Sequence, residues 1–189
     1  MNFKKHFELE GKHAIFSPSK PGWLTKNEEQ LSDYIRNENR KIRGTRMHRL
    51  AKEHIDLKIK MPRSSSDTFS MFINDAIGFG MTPEQPLQYS RNVFGTTDAI
   101  SMSERQNILR VHDLKTGKTP ARIEQLIAYA ALFCLEYGIK PSDIETELRI
   151  YQLGNILTVK PEQGDISKAM DQIILADKIA EDIMGEQYE

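Results

Sequence analysis

"VHDLKTGK", residues 111–118, is the stretch on which the architecture of the chain turns. Val111 and Leu114 are residue types of a strand interior, yet Asp113 and Lys115 stand among them, two positions apart. Residues two apart on a strand project from one face, about 6.6 Å from each other. Asp113 and Lys115 therefore share one side of a sheet. Upstream, residues 95–102 read as a second strand, and the polar turn "SERQN" between the two predicts an antiparallel hairpin. Downstream, Thr119 and Pro120 have the character of an N-cap and a first-turn residue. They predict a helix that reaches about Tyr137 and stops at Gly138. The strand "IETELRIYQ", residues 144–152, follows. A strand, helix, strand order demands a right-handed crossover between parallel neighbours. One antiparallel and one parallel pairing make the sheet mixed and the chain α/β.

The remaining segments complete this frame. Helices are expected over about 27–39 and 44–60, with Met47, Leu50, Ala51, His54, Ile55 and Leu57 as the apolar face of the second and Pro62 beyond its end. Phe69, Phe72, Ile73, Ala76 and Ile77 recur at helix period and are closed by Gly78, Gly80 and Pro83. A strand is expected over about 85–90 and another near 156–159. A last helix over 166–184 should turn Ile166, Ala169, Met170, Ile173, Ala180 and Ile183 inward and its acids outward. There is no internal repeat, and the whole of 1–189 reads as one domain.

With 189 residues, 39% hydrophobic and 28% charged, the chain suits one globular core. The formal net charge of -1 hides an uneven distribution. From Arg36 to Arg63 ten basic residues face three acids, a net of +7, while residues 162–189 carry a net of -6. A positive segment of this kind suits a polyanion or a solvated helix face, and charge alone does not choose. The single cysteine, Cys134, rules out an internal disulfide and an iron-sulfur cluster held by four cysteines of this chain, and it fits a reducing cytoplasm. The N-terminal lysines precede no apolar run, so no signal peptide is expected, and no segment is apolar enough for a membrane span.

The chemistry-bearing candidates follow from this layout. Asp98 lies in the strand paired with that of Asp113, where the two carboxylates can converge beside Lys115. Two carboxylates and a lysine make a poor salt bridge but a good cradle for a hard cation such as Mg²⁺ or Mn²⁺. In such a site a metal polarises a phosphoryl oxygen and activates water, and Lys115 stabilises developing charge. The "TGKT" at 116–119 is no P-loop, because His112 stands where that motif needs glycine; Gly117 is left as a tight-turn residue and Lys118 as a phosphate contact. Gln125 and Tyr129, four apart on the following helix, share a face outside its apolar stripe. "RGTRMH" brings His48 onto a helix, where it is a metal ligand or an ordinary packed histidine. Trp23 and Ser19 in "SPSKPGW" are a nucleic-acid contact or, for Trp23, a core anchor.

Taken together, "GTRMH" with His48, "FGTTDAI" with Asp98, "HDLKTGK" with Asp113 and Lys115, and "QLIAY" with Gln125 and Tyr129 resemble the RecB-type branch of the PD-(D/E)XK nuclease superfamily over about residues 13–160. The resemblance is to the small single-domain members carried by phages and prophages. It implies a restriction-endonuclease-like core and a metal-dependent DNA nuclease leaving a 5′-phosphate in DNA recombination, repair or processing; an exonuclease is the first expectation, and the residues leave end or internal action open. It implies His48, Asp98, Asp113 and the Leu114 carbonyl as metal ligands. Lys115 would be the catalytic lysine, and Gln125 and Tyr129 would hold DNA or the catalytic loop. The arginines at the start of the helix that begins near Gly44, Arg43, Arg46 and Arg49, would face phosphates. The cluster cysteines of iron-sulfur members are absent, and with no helicase module any unwinding falls to a partner such as a helicase or a single-strand annealing protein. Rings are known among relatives, so an oligomer is compatible.

Two rival readings use the same residues. One is a DNA-binding scaffold that keeps the fold without catalysis. The other is an interaction protein in which Asp113 and Lys115 form a plain salt bridge.

Overall fold

The computed structural model describes residues 5–7, 14–63, 66–117 and 119–185. Lys118 lies outside the described residues. The chain forms two compact units, residues 1–45 and 46–189. In the first, Trp23 sits half-buried in a short 3₁₀ turn (Pro21–Trp23), donates its indole N–H to the Ser17 carbonyl at 3.1 Å and packs on Phe16. Ser19 is exposed and hydrogen-bonds Ser17.

The second unit is an α/β fold around one mixed sheet of five strands in the order β1-β2-β3-β4-β5. These are β1 (Thr82–Gln88), β2 (Phe94–Ser103), β3 (Ile108–Lys115), β4 (Glu145–Gln152) and β5 (Asn155–Val159). The β2–β3 hairpin forms as its alternation demands, and β3 and β4 run parallel; every other neighbour pair is antiparallel. The helix between the parallel strands is α3 (Glu124–Tyr137). It ends on Gly138 at φ 64°, a left-handed cap that glycine adopts without a Cβ penalty. The β4–β5 turn needs positive φ at both Leu153 (51°) and Gly154 (80°), as a two-residue hairpin of the type I′ class does.

Helices cover both faces. Leu109, Val111, Leu148 and Ile150 pack against Leu126, Ala130, Ala131 and Cys134 of α3 and Ile166 of α4 (Gln163–Gly185). On the opposite face Leu114, Ala99 and Tyr151 meet α2 (Thr68–Gly78), through Phe72, Ile73 and Ala76, and also Ala51 and Ile55 of α1 (Glu28–Asp56). Each large apolar side chain so buried contributes roughly 1.5–3 kcal/mol. Among the described residues no helix is long and apolar enough to cross a membrane.

Several expectations are corrected. The helices expected over 27–39 and 44–60 are one continuous helix, since Gly44 costs only about 1 kcal/mol within it. That helix ends at Asp56, short of Pro62, and Leu50 and Leu57 are exposed. β1 begins at Thr82 rather than near Gln85. The helix expected from Thr119 starts at Glu124, with Ile123 as a cap that makes no side-chain hydrogen bond. On α4, Ile183 is exposed and Asp177 is buried, the reverse of the expected pattern.

Candidate metal centre

The site lies where the sheet comes apart. β2 and β3 pair from Ser103↔Ile108 as far as Ala99↔His112. Beyond that point the Leu114 N–H donates to Asp98 Oδ2 at 2.7 Å, a side-chain carboxylate in place of a strand carbonyl. Asp98 and Asp113, which would face each other next, thus stand in the fork of two parting strands.

The β1–β2 ribbon is irregular at the same level. Leu87 and its partner Gly95 turn toward α3, where a Cβ on Gly95 would meet Tyr129 at 3.0 Å. Ile100, five residues after Gly95, packs in the same cluster, although strict alternation would send it to the other face. The break falls at Glu84, opposite Asp98 in the register, whose φ is 49°. Only a few per cent of residues other than glycine take positive φ, and such strain collects at functional positions.

The strain delivers a carboxylate. His48, Glu84 and Asp98 each offer a ligand atom, and these atoms lie within 4.8 Å of one another. His48 arrives from α1, on the same side as Ala51 and Ile55, so burial of those two aims the imidazole at the fork. Its Nδ1 lies 3.2 Å from Asp98 Oδ1. That hydrogen bond, with the negative charge of Asp98, Glu84 and Asp113 around it, raises the imidazole pKa above its ordinary value despite partial burial. Glu84 is raised by burial and by Asp98, with His48 and Lys52 pulling the other way.

Asp113 is only 3% exposed. Its Oδ1 accepts from Lys115 Nζ at 3.0 Å, while Oδ2 is buried with no hydrogen-bond partner. Burial, and then Asp98, raise its pKa against the pull of Lys115 and His48. A buried carboxylate oxygen without a donor costs on the order of several kcal/mol. Glu147 Oε1 has the same status but lies 3.0 Å from Arg149, whereas Asp113 has only Lys115 as a cationic neighbour among its hydrogen-bond partners. Asp113 is outside the three-residue group of closest ligand atoms, next to it across Asp98.

The neighbouring side chains fix the amine and the strand. Lys115 Nζ also donates to Gln125 Oε1 at 2.9 Å, which ties the end of β3 to the first turn of α3. Tyr129 donates to the Thr96 carbonyl at 2.7 Å and lies against Gly95, bracing β2 two residues before Asp98. Sequence reasoning missed two participants. The sequence pattern puts Glu84 in the turn before a strand starting near Gln85; its only sequence signal is an acid between Pro83 and Pro86, residues that mark an edge strand. Gln152, at the end of β4, donates to the Gly117 and Thr119 carbonyls at 2.7 Å each and accepts from the Ala121 N–H at 3.2 Å. It staples the loop that joins Lys115 to α3, and no periodic pattern signals that.

The predicted phosphate contacts are less concentrated. Arg46 and Arg49 are exposed on α1, about 200° and 100° around the helix from His48, and Arg49 pairs with Glu53. Arg43 is exposed in the first unit. The Leu114 side chain is buried and its N–H serves Asp98. Neither protein-family models nor curated proteins match the sequence, so the geometry of this site carries its own interpretation.

Proposed function

We propose that the chain is a divalent-metal-dependent deoxyribonuclease of the RecB-type PD-(D/E)XK class, acting from DNA ends. The observation that carries the reading is the crowding of Glu84, Asp98 and Asp113 around a fork in the sheet, with an unpartnered oxygen on the buried Asp113. Acidic oxygens with one imidazole are a donor set for Mg²⁺ or Mn²⁺. Asp98, Asp113, Glu84 and His48 would hold the ion, with the Leu114 carbonyl as a further ligand. Such an ion supplies a Lewis acid for a phosphoryl oxygen and lowers the pKa of bound water.

The protein's own groups do the rest. Lys115, held between Asp113 and Gln125, presents a fixed positive charge to the pentavalent phosphorus as negative charge builds on its oxygens. Water adds to phosphorus as the 3′ oxygen leaves with its bonding pair, which yields a 5′-phosphate and a 3′-hydroxyl. Tyr129 and Gln125 keep β2 and Lys115 in register while DNA occupies the fork. Arg46 and Arg49 serve phosphates away from the scissile one, and a helicase or single-strand annealing protein is the kind of partner the reading calls for.

Purified protein incubated with linear and closed circular DNA tests the reading. With Mn²⁺ or Mg²⁺ linear DNA should shorten while closed circles persist, and a chelator should stop the reaction. Absence of cleavage under every divalent ion would end the nuclease assignment.

A further inference from the structure

The β1–β2 hairpin continues past the fork into a tip, residues 89–94, that the chemistry above does not use. Its inner side is locked. Ser90 Oγ accepts from the N–H groups of Asn92 (3.0 Å) and Val93 (3.1 Å) and donates to Asp177 Oδ1 of α4 at 2.6 Å. Asn92 Nδ2 donates to the same carboxylate oxygen at 3.0 Å, which accounts for the burial of Asp177. Gln88 N–H donates to Glu136 Oε2 of α3 at 2.9 Å, and Val93 packs against the core. The turn is thereby fastened to two helices.

Its outer side is aromatic and basic. Phe94 is 69% exposed, Tyr89 is exposed beside the same turn, and Arg91 lies between them in sequence and is exposed. A single exposed aromatic is ordinary on a protein surface. Here it stands at the end of a turn fastened by five hydrogen bonds, within five residues of a second exposed aromatic and an exposed cation, on the strand that carries Asp98. Phe94 precedes Asp98 by four residues, about 13 Å along the strand. At the 3.4 Å spacing of a stacked strand that is roughly four steps from a phosphate in the fork, and fewer where the unpaired strand is extended.

We propose that the hairpin tip is a base-stacking element, with Phe94 as its platform, that takes an unpaired nucleobase of the strand being cut. Any base offers a π-face, so the contact is independent of sequence; Arg91 meets the adjoining phosphate. A tip already held by Asp177 and Glu136 loses little entropy when a base stacks on it. The inference names the form of the substrate, a frayed or single-stranded end, and it rests on the nuclease reading for its placement beside the fork.

The test is fluorescence anisotropy with labelled oligo-dT and with a blunt duplex, in Mg²⁺ buffer, using the Lys115→Ala protein so that the strand stays intact. Adding Phe94→Ala should weaken oligo-dT binding by about 5- to 100-fold, leave the blunt duplex within about twofold, and be rescued by Phe94→Trp. Unchanged oligo-dT affinity, equal losses on both ligands, or no oligo-dT binding before the Phe94 change would each overturn the proposal. Cleavage by the wild-type protein is scored separately. Cutting together with a silent Phe94→Ala removes the stacking element alone, whereas Phe94-dependent binding without cutting removes the nuclease reading alone.

Discussion

Two groups of ionisable residues meet on strand β3, and they are built on opposite principles. On the face toward α2, Arg149 bridges Asp75 and Glu147 at 3.0 Å each, Arg110 faces Glu147 at 3.5 Å, and Tyr151 donates to Asp75 at 2.7 Å. Two guanidinium groups meet two carboxylates, and Phe79 lies over both arginines at 4.5 and 4.9 Å. His112, fully buried, contacts Tyr151 at 3.2 Å and is held neutral, its pKa lowered to about 3 by burial and by the two arginines. At the fork three carboxylates gather beside one lysine and a histidine, and Glu84 carries backbone strain. Both groups hold buried polar atoms without a hydrogen-bond partner, Asp113 Oδ2 at the fork and Arg110 Nε, Arg149 Nε, Glu147 Oε1 and His112 Nε2 in the other, so the difference between them is one of charge balance. A network that closes its own charge holds a fold together. One that leaves negative charge over is the arrangement the proposed metal would neutralise.

The contrast breaks if substitutions at the two places act alike. Asp113→Asn should lower cleavage by about 10³-fold, since it removes a ligand and the partner of Lys115. Its melting temperature should equal or exceed the wild-type value. The sign follows from the raised pKa: burial and Asp98 disfavour the ionised form in the fold, so ionised Asp113 destabilises it at neutral pH. A cleavage assay and a thermal melt on one preparation check both halves.

Arg149→Ala should do the reverse. Asp75 and Glu147 lose their shared partner, and stability should fall by about 3 kcal/mol, somewhat less where Arg149 keeps solvent contact. Denaturant titration measures the loss, while cleavage below the melting transition stays near wild type.

His112 sharpens the same division through pH. Because its folded pKa is depressed, its contribution is complete above the unfolded pKa near 6.5 and is lost as pH falls toward about 3. The wild type should lose up to about 1.4 kcal/mol of stability per pH unit through this group in that window. Unfolding curves at pH 7, 5 and 4 should show a shallower decline in His112→Gln.

The smallest expected effect belongs to Gln152→Ala. Cleavage should drop about 10-fold with Mn²⁺ affinity unchanged, because the loop to α3 loosens while the ligands stay. Amide exchange at Ala121 should accelerate in this variant, and the amides of β4 should keep wild-type protection.

What could be read from the sequence follows the range of the forces involved. The β2–β3 hairpin, the α3 apolar face and the parallel β4 arise from local alternation and helix period, and Asp98, Asp113, Lys115, Gln125 and Tyr129 are placed by the same elements. The start of α3 was misjudged because Thr119 and Pro120 have the chemistry of a helix start, whereas Gln152, thirty-odd residues away, engages that backbone instead. The register that sets Glu84 opposite Asp98 depends on two distant segments, and a positive φ on glutamate has no composition signal. Asp177 was expected outward because a charged residue on a helix ordinarily is; Ser90 and Asn92 reverse it.

Calorimetric titration with Mn²⁺ across pH addresses the core of the account most directly. A proton on His48 must leave before the imidazole can ligate, and the Asp98 hydrogen bond raises its pKa. A single binding event is expected whose affinity climbs as pH passes from below 6.5 through the raised pKa of His48, and which disappears in Asp98→Asn. No binding heat at any pH, or equal affinity in Asp98→Asn, would contradict a metal centre at the fork.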